Sequence, residues 1–283
     1  MTELESRATK KGLIKEITAV SNQHIKDIRA LERRKVRNQT GQFMAEGLQL
    51  VAFALEAGWD ADILVYAKNI KSHELVQQVA AKVYARGGLI LEVSEQVLSK
   101  LTHRDNPQHV IGVFRQRYGK LTDLASDLEA AGGDMVVAME GVKDPGNLGT
   151  SIRTSDAVGA SALLLIGETT DPFSLEAVRA TMGSIFHVPL YRATREEFLS
   201  WRKSWPGDIV GTHLKGAVDY RSVKPKDPLM VMMGNEQSGL PDEFAESCDH
   251  LVKIPMDGRA ESLNLAVSTG ITLFRLREGK LGL

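Results

Sequence analysis

Five short apolar runs in the second half of the chain restrict its fold more than any other feature. They are MVVAM (135–139), ALLLI (162–166), IVG (209–211), LMVMM (229–233) and LVKI (251–254). Helical patterns separate them, and runs apolar on both faces with helices between indicate a mostly parallel sheet covered on both sides. A last helix is expected over 263–277. Open α/β sheets bind ligands at the carboxyl ends of their strands, so the loops that follow these runs are where chemistry is expected.

The first 118 residues read as a smaller α/β unit. Helices are expected over 22–37 and 46–57, the second closed by Gly58. Beyond it come a strand over 63–66, a helix over 73–85 ended by Gly87 and Gly88, a strand over 89–93 and a closing strand over 110–117. Residues 119–133, with LTDLASDLEAA and the pair Gly132 and Gly133, are assigned as a linker to a second domain over 134–283. A chain of 283 residues is long enough for two such cores.

Composition narrows the function classes. Hydrophobic residues make up 43% and charged residues 25%, the balance of a globular protein. Cys248 is the only cysteine, which excludes an internal disulfide and a cysteine-based metal cluster, and no metal is expected. No apolar run approaches the roughly 18 residues of a membrane span, and the start carries no apolar signal core, so the expected compartment is the cytoplasm. Net charge is -1, yet residues 1–40 hold ten bases against five acids. A basic arm on an acidic body is the asymmetry of a chain that touches phosphate at one end, or of a solvated helix face without a partner. The bases placed to do so are Arg29, Arg33, Arg34, Lys35 and Arg37.

Three glycine-bearing stretches follow the predicted strands. In EGVKDPGNLGTSIRTSDAVGA (140–160), a turn at Pro145 and Gly146 opens a helix near Asn147, whose free amides suit an anion. It is neither a G-x-G-x-x-G fingerprint nor a P-loop, since the second glycine and the lysine are missing. Arg153, six residues on, is either a bidentate phosphate grip near the cleft or a surface arginine. In MGNEQSGLPDEF (233–244), Gly234 and Gly239 permit a tight loop that carries Asn235 and Glu236. In VKIPMDGRAESLNLAVSTGI (252–271), Pro255 ends a strand, and Ser262 or Asn264 stands at the start of the last helix, as a cap or as a working group.

Together the three stretches resemble the signature motifs of the SpoU (TrmH-type) branch of the SPOUT RNA 2′-O-ribose methyltransferases. The first motif is carried by Asn147, Gly149 and Arg153. The second is carried by Gly234, Asn235, Glu236 and Gly239, and the third by Ile254, Pro255, Met256, Ser262, Leu263 and Asn264. Residues 21–55 also resemble the family's RNA-binding leader domain. The resemblance implies a catalytic domain with a C-terminal trefoil knot, an exception to the rule against threaded chains. It implies S-adenosylmethionine bound near Thr212, Gly234, Ile254 and Leu263, and a homodimer through the knotted region with both subunits contributing to each site. Asn147, Arg153, Glu236, Ser262 and Asn264 would form the catalytic set, and Arg179, in RATMG, matches a further family arginine placed toward RNA.

The implied reaction is methylation of a ribose 2′-hydroxyl, with ribosomal RNA preferred over transfer RNA as partner. Two competing readings share the fold: a non-catalytic RNA-binding ribosome-assembly factor, and an enzyme that methylates a base nitrogen. A third, an unrelated nucleotide-binding α/β enzyme, lacks its phosphate-binding fingerprints.

Overall fold

The computed structural model describes residues 11–102, 109–213 and 217–282. Arg7 and Lys10 of the basic arm lie outside them. The chain divides into two compact units: residues 1–116 with 173–179, and residues 117–172 with 180–283.

The first unit is built from β1 (Leu13–Ile17), α1 (Gln23–Ala30), α2 (Arg34–Thr40), β2 (Gln42–Glu46), α3 (Leu48–Glu56), β3 (Ala61–Ala67), α4 (Glu74–Ala85), β4 (Leu89–Val93), α5 (Glu95–Leu98) and β5 (Val110–Arg115). Its five-stranded sheet runs β1-β4-β3-β5-β2, with β1, β4 and β3 parallel and β5 antiparallel to both neighbours. Ile25, Ile28, Val65, Leu91 and Val113 are among the residues of its core.

The single helix expected over 22–37 is two helices. Asn22 caps the first by accepting from the amide of His24, and the chain turns after Ala30. Arg37 then reaches back to donate to the carbonyls of Leu31 and Glu32, each at 2.8 Å, which the break leaves without helical partners. The expected helix over 46–57 is likewise shorter, because Glu46 ends β2 and the helix begins at Leu48.

The second unit contains β6 (Gly119–Lys120), α6 (Leu124–Ala130), β7 (Met135–Glu140), α7 (Pro145–Ala157), β8 (Ala162–Ile166), β9 (Leu190–Ala193) and α9 (Arg195–Trp201); α8 (Leu175–Ala180), which precedes β9 in the chain, falls with the first unit up to Arg179. It continues with β10 (Ile209–Thr212), β11 (Val218–Asp219), β12 (Leu229–Met233), α10 (Asp242–Ala245), β13 (His250–Lys253) and α11 (Leu265–Leu281). Its eight strands are ordered β11-β13-β10-β12-β7-β8-β9-β6 and all pair parallel. The five apolar runs are therefore strands as expected, and β7, β8 and β12 are buried along their whole length.

Residues 119–133 are not a linker. They supply the edge strand β6 and the helix α6, and Leu121, Leu124 and Leu128 enter the core of the second unit. The amphipathic stretch has a buried face to pack, which a linker does not. Residues 173–179 depart from the expected division in the opposite sense, since they pack with the first unit: the Phe173 ring lies 4.6 Å from that of Phe43, and Leu175 packs against the core that holds Ile25 and Val65.

Candidate active site

Three loops at the carboxyl ends of β7, β12 and β13 meet through side chains. The first opens α7, where Asp144 caps the helix by accepting from the amide of Asn147 at 2.6 Å, with Pro145 at the first helical position. The second is the turn after β12. Asn235 and Gly239 exchange backbone hydrogen bonds of 2.9 and 3.0 Å, and Asn235 Oδ1 accepts from the amides of Gln237 and Ser238. A Cβ on Gly234 would stand 2.2 Å from the backbone of Gly239 and Leu240, so only glycine lets this turn close.

Glu236 binds the second loop to the first. Its carboxylate accepts from the amides of Lys143 (3.1 Å) and Asp144 (3.0 Å) and from Asn147 Nδ2 (3.3 Å), while Asn235 Nδ2 donates to the carbonyl of Gly141 at 2.8 Å. Burial pushes the Glu236 carboxyl up. The amides of Asp144, Glu236 itself and Lys143, with Asn147, more than offset this and hold it below the usual carboxylate range. The third loop joins through Asn264, whose Nδ2 donates to Asn147 Oδ1 at 2.8 Å and whose Oδ1 caps α11 at the amides of Ala266 and Val267. Asn147 thus donates to Glu236 and accepts from Asn264, so one amide joins three segments that are far apart in sequence.

Beside this junction lies a cavity of about 600 Å³, within the usual range of small-molecule sites. Thr212, Gly234, Ile254 and Leu263, the four positions expected to hold a cofactor, all line it, as do Glu236 and Ser262. Ser262 is exposed and is not the cap of α11, a role that Asn264 takes. Thr272 was not legible in the sequence. It lies on α11, is fully buried, lines the cavity, and its hydroxyl has no hydrogen-bond partner, whereas Thr269 one turn earlier donates to the carbonyl of Leu265. Asp144 was also missed, although an Asp before Pro is a readable capping signal.

Arg153 stands apart. It is exposed on α7 and lines neither this cavity nor the recess around Asn147. Six helical residues carry it ~9 Å along the axis and about two-thirds of a turn round from Asn147, so it leaves α7 on a different face from Asn147.

In the first unit, Arg29, Arg33, Arg34 and Lys35 are exposed as a phosphate-facing set requires. Arg37 is not: it is 3% exposed and occupied with backbone carbonyls. Arg179 has a partner within the first unit. Its guanidinium donates to the buried carboxylate of Glu46 through both Nε and Nη2, because a carboxylate out of water needs a cation beside it. Among the described residues, no group of three or more His, Cys, Asp and Glu could hold a metal ion, and no helix is long and apolar enough to cross a membrane.

An all-parallel sheet with three interlocked loops beside a cavity at its carboxyl edge defines the class, an α/β protein that binds a small molecule at that edge. Comparison with known proteins gives the family: the chain belongs to the SpoU rRNA methylase family, whose model matches residues 134–274, and an MRM3-like substrate-binding domain matches residues 22–112. It is 31% identical to the 23S rRNA (guanosine(2553)-2′-O)-methyltransferase RlmP of Bacillus subtilis, over 93% of this chain and all of that one. The crystal structure of an AdoMet-bound rRNA methyltransferase from Sinorhizobium meliloti is 52% identical, with a TM-score of 0.86 over 94% of this chain and 98% of that one. The SpoU methyltransferase AviRb of Streptomyces viridochromogenes, solved with AdoMet, is 27% identical, with a TM-score of 0.81 over 92% and 98%. The protein is accordingly an S-adenosylmethionine-dependent RNA methyltransferase.

Proposed function

We propose that this enzyme methylates the ribose 2′-hydroxyl of a nucleotide in large-subunit ribosomal RNA, in the cytoplasm. The observation that carries the reading is the junction of Asn147, Glu236 and Asn264 beside the cavity of Thr212, Gly234, Ile254 and Leu263. That cavity suits the methyl donor on its own terms: Ile254, Met256 and Leu263 give it an apolar side, and the unpartnered Thr272 hydroxyl awaits a polar group. When bound, S-adenosylmethionine supplies an electrophilic methyl group.

The chain supplies position and charge. Asn147, fixed by two partners, and Asn264, fixed by three, hold the loop edges where a ribose would rest, and Ser262 offers a hydroxyl to it. Glu236 keeps the wall between ribose and cavity closed. The guanidinium of Arg153 stays charged, so it serves as a phosphate clamp and as a cation that favours loss of the hydroxyl proton to a phosphate oxygen or water.

Because Arg153 does not line the cavity of its own chain, the reading includes a homodimer in which Arg153 completes the partner's site. Val267, Phe274 and Leu281 support it, exposed at seven-residue intervals along α11, the helix packed against α7. The trefoil knot belongs to the same reading: β12 and β13 flank β10 on opposite sides, and the chain then returns to α11. In the first unit, Arg29, Arg33, Arg34 and Lys35 hold the RNA by phosphate contacts.

The test is a map of alkali-resistant 2′-O-methyl sites in total RNA with and without the gene, followed by transfer of labelled methyl to that RNA by the purified protein. Loss at one ribosomal nucleotide, restored by the protein and not by an Arg153→Ala variant, is expected. Loss confined to transfer RNA, or a mark on a base nitrogen, would replace the reading.

A further inference from the structure

The cofactor cavity is not the only recess at this sheet edge. Across the Asn235–Gly239 turn, where β7, β8 and β9 end, lies a second cavity of about 910 Å³ that shares Asn235, Gln237 and Ser238 with the first. The turn is thus a common wall, and a group held in the second recess adjoins whatever fills the first.

Glu140, the last residue of β7, lines this recess and is 1% exposed. Its Oε1 accepts from Arg195 Nε (2.9 Å) and Nη2 (2.6 Å), whereas its Oε2 is buried with no hydrogen-bond partner. A buried carboxylate oxygen without a donor is rare, and in a recess large enough for a ligand it points to a ligand that brings one. Gly167 makes room for the pair, since a Cβ there would stand 3.3 Å from Arg195 Cγ and 3.6 Å from Glu140 Oε1.

The recess is not an anion trap. Arg192 lies over the Tyr118 ring at 4.9 Å, Lys143 Nζ donates to the carbonyl of Glu168, and Glu168, Glu196 and Glu197 also line the walls. What remains is a guanidinium donor held beside a carboxylate acceptor, with polar side chains around them. Their complement is a neutral planar group that carries a carbonyl next to N–H donors. Among the RNA bases, guanine alone sets a carbonyl beside two such donors, a ring N–H and an exocyclic amine.

We propose that this recess is a base-recognition site for an unpaired guanine of the substrate strand, with N–H donors on Glu140 and the carbonyl facing Arg195. The proposal rests on the RNA-methylating reading above and adds to it where the enzyme senses base identity.

The test is titration of the full chain, saturated with S-adenosylmethionine, with the 5′-monophosphates of guanosine, inosine, adenosine, cytidine and uridine. Binding is followed by chemical-shift changes. Guanosine monophosphate is expected to bind most tightly, and inosine monophosphate, which lacks only the exocyclic amine, at least about fivefold more weakly. Glu140→Gln is expected to weaken the guanosine ligand about tenfold while S-adenosylmethionine still binds at wild-type strength, which separates this proposal from the reading of the cofactor cavity. Equal affinity for all five ligands, or guanosine binding unchanged in Glu140→Gln, overturns it. The inosine comparison uses the unaltered protein and decides the matter even if the variant does not fold.

Discussion

Replacing Glu236 by glutamine keeps the outline of the side chain and removes its charge. The carbonyl of the amide can still serve the Asp144 amide and Asn147 Nδ2, which now meet Oε1 at 3.0 and 3.3 Å. The Lys143 amide is shared between Oε2 at 3.1 Å and Oε1 at 3.3 Å and would keep only the longer branch, while Asn235 Nδ2, 3.4 Å from Oε2, would face an NH₂ group instead. Every remaining bond loses its charge assistance, the Lys143 amide is left with its longer branch and the weak Asn235 bond disappears, so the expected loss of stability is about 2 kcal/mol. For a unit of this size that corresponds to a fall in Tm of roughly 4–8 °C. The effect must also titrate. The Glu236 carboxyl is held below its ordinary range, so its contribution is complete above the unfolded pKa and disappears as pH falls through the folded one. Urea midpoints of both proteins should therefore differ fully at neutral pH and converge in acid. Since the turn walls the cavity, S-adenosylmethionine affinity should drop about tenfold or more by calorimetry. Equal midpoints at neutral pH, or a gap that persists unchanged through the acid range, would refute the account of Glu236 as the bond between two loops.

Gly234→Ala forces a Cβ to within 2.2 Å of the Gly239 and Leu240 backbone, so the turn must open at a cost of about 1–3 kcal/mol, with loss of S-adenosylmethionine binding in the same titration. Arg37→Met, which leaves the Leu31 and Glu32 carbonyls without their donor, should lower the stability of the first unit by about 2 kcal/mol in denaturant melts. Arg34→Ala, at an exposed position, should leave the melts unchanged and reduce the salt slope of RNA binding by about one. A stable Arg37→Met protein with weakened RNA binding would return Arg37 to the phosphate-facing set.

Much of the site was readable because its chemistry is local. A strand ends where its apolar run ends, and the polar loop that follows lies at the carboxyl edge of a parallel sheet. The loops could be placed for this reason, while the resemblance to the family's motifs singled out Asn147, Gly234, Glu236, Ile254, Leu263 and Asn264 within them, and the structure gathers all six around one junction and cavity. Side-chain partners are not local. Arg37 and Arg179 look like Arg33 and Arg34 in the sequence, and the difference lies in the carbonyls and the buried carboxylate that folding places beside them. Glu140 and Thr272 gave no signal, because an unpartnered oxygen is defined by what surrounds it rather than by its neighbours in the chain.

The sequence by itself determined the layered α/β architecture and the edge where ligands bind, since apolar periodicity and glycine-bearing turns act over a few residues. Only the tertiary structure decided that 119–133 belongs to a core, that 173–179 packs with the first unit, and which charges face water. Those outcomes depend on burial, and burial is a property of the whole packed chain.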